Sequence, residues 1–197
     1  MDLNYDKYTD EEIVKLVIQN QDDFVEIVRR YQTKLLYYIL RISNVDKETA
    51  EDILQDVFLK VYKNINNFKP SLKFSSWIYR ITHNYVIDHH RKEKRGLDIV
   101  DIEDDDLFLF LIDPNNIEEG LDKKILGEKI HEILNKLDFK YREVLILYFL
   151  EEKKYKEISD IIKKPINTVS TLLNRAKIQF KSLAQESELK DLVKNLN

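Results

Sequence analysis

The sequence predicts an all-α protein made of two small helical domains joined by a flexible acidic linker, the second of them a helix-turn-helix domain. Three observations carry this. Only 3 Gly and 3 Pro punctuate 197 residues, too few for the turns of a strand-rich fold, while 43% of residues are hydrophobic. Apolar residues recur at three- and four-residue spacings over long stretches. Charge is segregated: residues 1–97 carry 16 Lys+Arg against 15 Asp+Glu, residues 98–122 carry none against 10, and residues 123–197 carry 16 against 11. The acidic stretch, with Asp113-Pro114 and Asn115-Asn116 near its middle, reads as a linker, which puts the domains at 1–97 and 123–197. Asp104 to Asp106 suits either a solvated loop or an acidic segment with a partner.

In the first domain, Thr9-Asp10-Glu11-Glu12 has the capping-box pattern and starts a helix. Phe24, Ile27, Val28, Tyr31, Leu35, Tyr38, Ile39 and Ile42 form one continuous helical stripe. Ala50, Ile53, Leu54, Val57, Val61, Ile65 and Phe68 repeat it, and so do Phe74, Trp77, Ile78, Ile81 and Tyr85. Between the last two stripes, Asn66-Asn67-Phe68-Lys69-Pro70-Ser71 breaks the pattern and is a loop with the composition of a ligand reader.

The second domain opens with a helix from about Ile117 to Leu137 and continues with Tyr141 to Leu150. It then shows Tyr155 to Ile162, a break at Lys163-Lys164-Pro165, and Ile166 to Leu183. Ile158, Ile161 and Ile162 pack the shorter helix of this pair against Val169, Leu173, Ala176 and Phe180. Asn167, Thr168, Ser170, Thr171, Asn174 and Arg175 then face solvent. Short polar side chains at the start of an exposed second helix suit base edges in a major groove, although an ordinary helical hairpin has the same spacing.

Other chemistries are poorly served. There is no Cys, which removes disulfides, thiolate metal sites and cysteine nucleophiles. His83, His89, His90 and His131 show no metal-ligand spacing, His89 and His90 point about 100° apart on a helix, and no Gly-rich phosphate loop exists. No catalytic residue, metal or cofactor is expected. No window approaches the roughly 20 consecutive apolar residues of a membrane span, and the first residues lack a signal-peptide pattern. The expectation is a cytoplasmic, non-enzymatic chain, monomeric when free.

Two segments then acquire a family. The first is Ala50-Glu51-Asp52-Ile53-Leu54-Gln55-Asp56-Val57-Phe58-Leu59-Lys60-Val61-Tyr62, followed by Phe74-Ser75-Ser76-Trp77-Ile78-Tyr79-Arg80-Ile81-Thr82-His83-Asn84, Asp88 and Arg91. The second is Leu137 with Arg142, Glu157-Ile158-Ser159, Pro165, Thr168-Val169 and Arg175-Ala176. Together they resemble bacterial RNA polymerase sigma factors of the compact extracytoplasmic function (ECF) type. The resemblance implies that Asp52, Gln55, Asp56 and Leu59, on one helix face, dock on core RNA polymerase. It also implies that the loop Asn66 to Lys73, with Trp77, Arg80 and Asn84, captures an extruded base and melted strand of the −10 element. Asn66, Asn67, Phe68, Lys69 and Lys73 are its named loop residues, and Arg91 belongs to a phosphate-contacting helix end. Trp77 suits the core as well as a melting wedge. The helix-turn-helix would read the −35 element through Asn167, Thr168, Ser170, Thr171, Asn174 and Arg175.

Departures from the family pattern are Ser170 and Leu172 at usually basic positions, Lys163 at a usual Gly and Asp138 at a usual Pro. The acidic linker would thread a positively charged channel of polymerase, mimicking phosphates; Leu107 to Ile112 would pack between the domains or meet an anti-sigma factor. The implied function is a sigma factor that binds core polymerase and double-stranded and melted promoter DNA. The rival readings are a helix-turn-helix regulator acting without polymerase holoenzyme, and a helical adaptor.

Overall fold

The computed structural model describes residues 4–43, 45–93 and 121–186. Most of the acidic segment 98–122, including Asp104 to Asp106 and Leu107 to Ile112, lies outside the described residues, as does the tail after residue 186. The described residues form helices and turns with no strand among them, and the backbone follows the hydrophobic stripes closely.

Helix α1 spans Asp10–Gln19. The Glu12 N–H donates to Thr9 Oγ1 at 3.3 Å and the Thr9 N–H donates to Glu12 Oε2 at 2.8 Å, completing the predicted capping box. Helix α2 spans Phe24–Ser43 and buries Ile27, Tyr31, Leu35, Tyr38, Ile39 and Ile42 along one stripe. Helix α3, Lys47–Asn64, starts at Asp46, whose side chain accepts from the Thr49 N–H at 2.7 Å. A 3-10 turn at Ile65–Asn67 ends the run and delivers the loop. Helix α4, Phe74–Glu93, starts without a neighbouring Ser, Thr, Asp or Asn cap; Glu11 of α1 reaches over and accepts from the Phe74 N–H at 2.7 Å.

In the second module, helix α5 is described over Leu121–Lys136; the expected start at Ile117 lies outside the described residues. Helix α6, Phe139–Leu145, begins two residues before its expected start, with Asp138 at its N-cap position making no side-chain capping bond. It then widens into a π-helical turn, Ile146–Leu150, rather than continuing as regular α-helix. Helices α7, Tyr155–Ile162, and α8, Ile166–Glu186, form the helix-turn-helix. Between them Lys163 has φ 56° and ψ 42°, the left-handed conformation that lets the chain turn sharply. Ile158, Ile161, Val169, Leu173 and Ala176 are fully buried between the two helices, and Ile162 is 7% exposed.

The two modules pack on each other. Helix α7 lies along α4, the C-terminal part of α2 meets α6 and the π turn, and buried apolar residues run continuously from one module into the other. Ion pairs and hydrogen bonds cross the same boundary, among them Arg41 with Glu151 and His83 with Glu143.

Candidate nucleic-acid and polymerase interface

Helix α3 turns Ile53, Val57 and Val61 into the core, so its opposite face must carry Asp52, Gln55, Asp56 and Leu59. All four are exposed, Leu59 to 55%. The Tyr85 hydroxyl of α4 donates to Asp56, and Lys60 Nζ lies 5.6 Å from the Tyr85 ring centroid. The hydrogen bond to Asp56, together with burial, pushes the Tyr85 hydroxyl up to about 12. Beside this face, Phe24 of α2 meets Phe58 and Tyr62 edge-on, at centroid distances of 6.4 and 5.1 Å. An acidic and apolar helix face standing on a rigid core is suited to docking another protein.

The loop after α3 divides into exposed polar residues and a buried aromatic anchor. Asn66, Asn67 and Lys69 are exposed, whereas Phe68 is 8% exposed and packs against Phe74 and Trp77 at centroid distances of 5.5 and 5.6 Å. Trp77 itself is 7% exposed, in the core position that its stripe predicts. Arg80 is half-buried and Asn84 exposed one turn further along α4; Arg91 lies on the last turn, its side chain outside the described residues. Between the loop and the start of α1 is a cleft of about 580 Å³, walled by Thr9, Glu11, Arg30, Ser71, Lys73 and Ser75. Arg30, held by Asp10 and Glu26 at 2.8 and 2.6 Å, supplies a fixed cation on its wall. Exposed amides, cations and an adjacent cleft on an aromatic base are what an unstacked nucleotide needs.

On α8, Asn167, Thr168, Thr171, Asn174 and Arg175 are exposed along one face, while Ser170 is half-buried at its edge. The Thr171 hydroxyl donates to the Asn167 backbone carbonyl at 2.9 Å, and Asn167 and Asn174 are both exposed. Leu172 is half-buried and packs against the core. Asp138 pairs with Lys140 at 3.4 Å.

The polar groups between the modules escaped sequence reading. Arg41 sits within the apolar end of α2, and Glu143 within the run from Tyr141 to Leu147. A charge interrupting an otherwise apolar stripe is the signal that could have found them.

Two family models match the chain: Sigma-70 region 2 over residues 27–96 and Sigma-70 region 4 over residues 127–180. ECF RNA polymerase sigma factor SigW of Bacillus subtilis (strain 168) is 34% identical over 164 residues, covering 80% of this chain and 87% of its own length. ECF sigma factor SigM of the same organism is 31% identical over 158 residues, 80% of this chain and 93% of that protein. Among solved structures, CnrH in complex with the cytosolic domain of CnrY shares the fold at TM-score 0.67 and 19% identity, over 91% of this chain and 99% of that one. The sigma factor RpoE of Bartonella quintana, in complex with the anti-sigma factor NepR, does so at TM-score 0.67 and 22% identity, over 83% and 97%. With both sigma regions present in order and the exposed faces described above, this chain belongs to the ECF RNA polymerase sigma factors. It binds core RNA polymerase and directs promoter-specific initiation of transcription. The rival reading, a regulator that acts without holoenzyme, is not favoured, since it leaves the region 2 match without a role. Sigma factors are DNA-recognition subunits rather than enzymes, and no described helix is long and apolar enough to cross a membrane.

Proposed function

We propose that residues 1–97 bind core polymerase and the −10 element, that residues 123–197 read the −35 element, and that residues 98–122 connect them as an acidic strap. Asp52, Gln55, Asp56 and Leu59 make the polymerase contact. Asn66, Asn67, Phe68, Lys69, Lys73, Trp77, Arg80, Asn84 and Arg91 serve the −10 element, with Phe68 and Trp77 acting as the packed floor beneath the exposed Asn66, Asn67 and Lys69. Asn167, Thr168, Ser170, Thr171, Asn174 and Arg175 face the −35 major groove. The observation that carries the reading is that all but one residue of the polymerase and −35 sets are exposed while their helical neighbours are buried. The chain acts in the cytoplasm, without catalytic residue, metal or cofactor, and a protein inhibitor of the anti-sigma kind, like the one bound to the Bartonella relative, controls it.

The test mixes the purified full chain with core polymerase and a promoter library and sequences the open-complex transcripts. Transcripts should start downstream of one asymmetric two-part motif, and Asp56→Arg should abolish both polymerase binding and transcripts. A chain that does not bind core polymerase overturns the reading.

A further inference from the structure

Tyr85 follows Asn84, a residue of the −10 set, on α4, and its hydroxyl crosses to α3, where it donates to Asp56 Oδ2. The two residues are 29 positions apart in sequence. The Tyr85 ring is half-buried and packs against the hydrophobic core, and Lys60 Nζ lies 5.6 Å from its centroid. A rigid ring held at its base by packing thus carries a donor out to the surface. The hydrogen bond to Asp56, together with burial, pushes that hydroxyl up to about 12, so it stays protonated and donating at neutral pH.

Asp56 shares the exposed face of α3 with Asp52, Gln55 and Leu59. A carboxylate on an open helix face samples several rotamers and gives up that freedom when a partner binds it. A phenol hydroxyl has a single proton to donate, and here it goes to Asp56. Bonding at Oδ2 leaves the acceptor capacity of Oδ1 for a basic side chain of a partner. The exposed setting decides what such a bond changes. Between surface groups it adds little to folding stability, because both ends find water when it breaks. What it restricts is the orientation of the carboxylate, and that is felt in binding.

We propose that Tyr85 is a positioning residue for polymerase docking: from α4 it holds the Asp56 carboxylate in the orientation that core RNA polymerase receives. The bond also ties the docking face of α3 to the helix that carries Arg80 and Asn84. This rests on the reading of Asp56 as a polymerase contact. Tyr85 itself belongs to neither the proposed polymerase set nor the proposed DNA sets, so its hydroxyl can be removed without deleting any of those side chains.

The test titrates core polymerase with the full chain and its variants. Tyr85→Phe keeps the ring and loses the hydroxyl; it should weaken binding about three- to tenfold, with the helical circular dichroism and Tm of wild type. Asp56→Ala should weaken binding further. Adding Tyr85→Phe to Asp56→Ala should then change nothing more, since the hydroxyl has no carboxylate left to hold. Replacing Tyr85 by 4-aminophenylalanine, which puts an N–H donor in place of the hydroxyl, should restore most of the affinity. Wild-type affinity in Tyr85→Phe, tighter binding by Tyr85→Phe, or a double variant that loses the same factor again would overturn the positioning role. If Tyr85→Phe lowers Tm, the cycle still decides: a loss through folding persists in the Asp56→Ala background, and a loss through Asp56 does not. Wild-type chain that fails to bind core polymerase counts against the proposed function, and the role of Tyr85 falls with it.

Discussion

Lys163 shows how one side chain carries a conformational cost for the fold. It ends α7 in the left-handed conformation, where a Cβ crowds the backbone and glycine fits without strain. Lys163→Gly is expected to raise stability by up to about 1 kcal/mol, the steric gain being partly offset by glycine's larger unfolded-state entropy. Thermal unfolding checks this as a rise in Tm, with Lys163→Val moving the opposite way. Glu26 illustrates the reverse, a buried charge that is well held. Its side chain is 4% exposed and meets Arg29 at 2.7 Å and Arg30 at 2.6 Å. The hydrogen bond from Arg29 holds its carboxyl below the usual range, against burial and with help from Arg30. Because the folded value lies below the unfolded one of about 4.3, this stabilisation is complete above that pH and is lost as pH falls through the folded value. Glu26→Gln should therefore cost about 1–3 kcal/mol at neutral pH and flatten the acid limb of a pH–stability curve measured by urea unfolding.

At the scale of elements, the helices were legible because each buries one stripe. The spacing of Ile27, Tyr31, Leu35, Tyr38 and Ile42 suffices to set α2, and Thr9 with Glu12 marks the start of α1. What spacing does not reveal is how a helix ends inside packed surroundings. The π turn at Ile146–Leu150 and the capping of α4 by Glu11, 63 positions away, depend on tertiary contacts. The reading helix α8 offers Asn167, Thr171 and Asn174 but no basic side chain at positions 170 and 172. Amides pair with adenine edges and a threonine methyl packs on thymine, so the −35 preference should lean to A/T. A binding selection with the full chain in holoenzyme checks this, and a G/C-rich −35 motif is the contrary result. Asn174→Ala should relax the preference at one base step, at about 1–3 kcal/mol of discrimination.

For the whole molecule, the net charge of −4 conceals a near-neutral first module and a basic second one behind ten acidic residues in 98–122. Segment by segment that composition agrees with a nucleic-acid partner, which the total does not. The sequence by itself determined the helical class, the stripes that build both modules and the family motifs that assign the chain to ECF sigma factors. Periodicity records which face of a helix avoids water, and that is a local property. Only the tertiary structure decided what covers the polar residues lying within those faces. It brought Arg41 and Tyr79 to Glu151, and His83 to Glu143, across 60 to 110 positions of chain. The physical reason is that a buried charge is tolerated only beside a partner. Spacing along the sequence predicts the burial, but the partner comes from whichever element the fold packs against it.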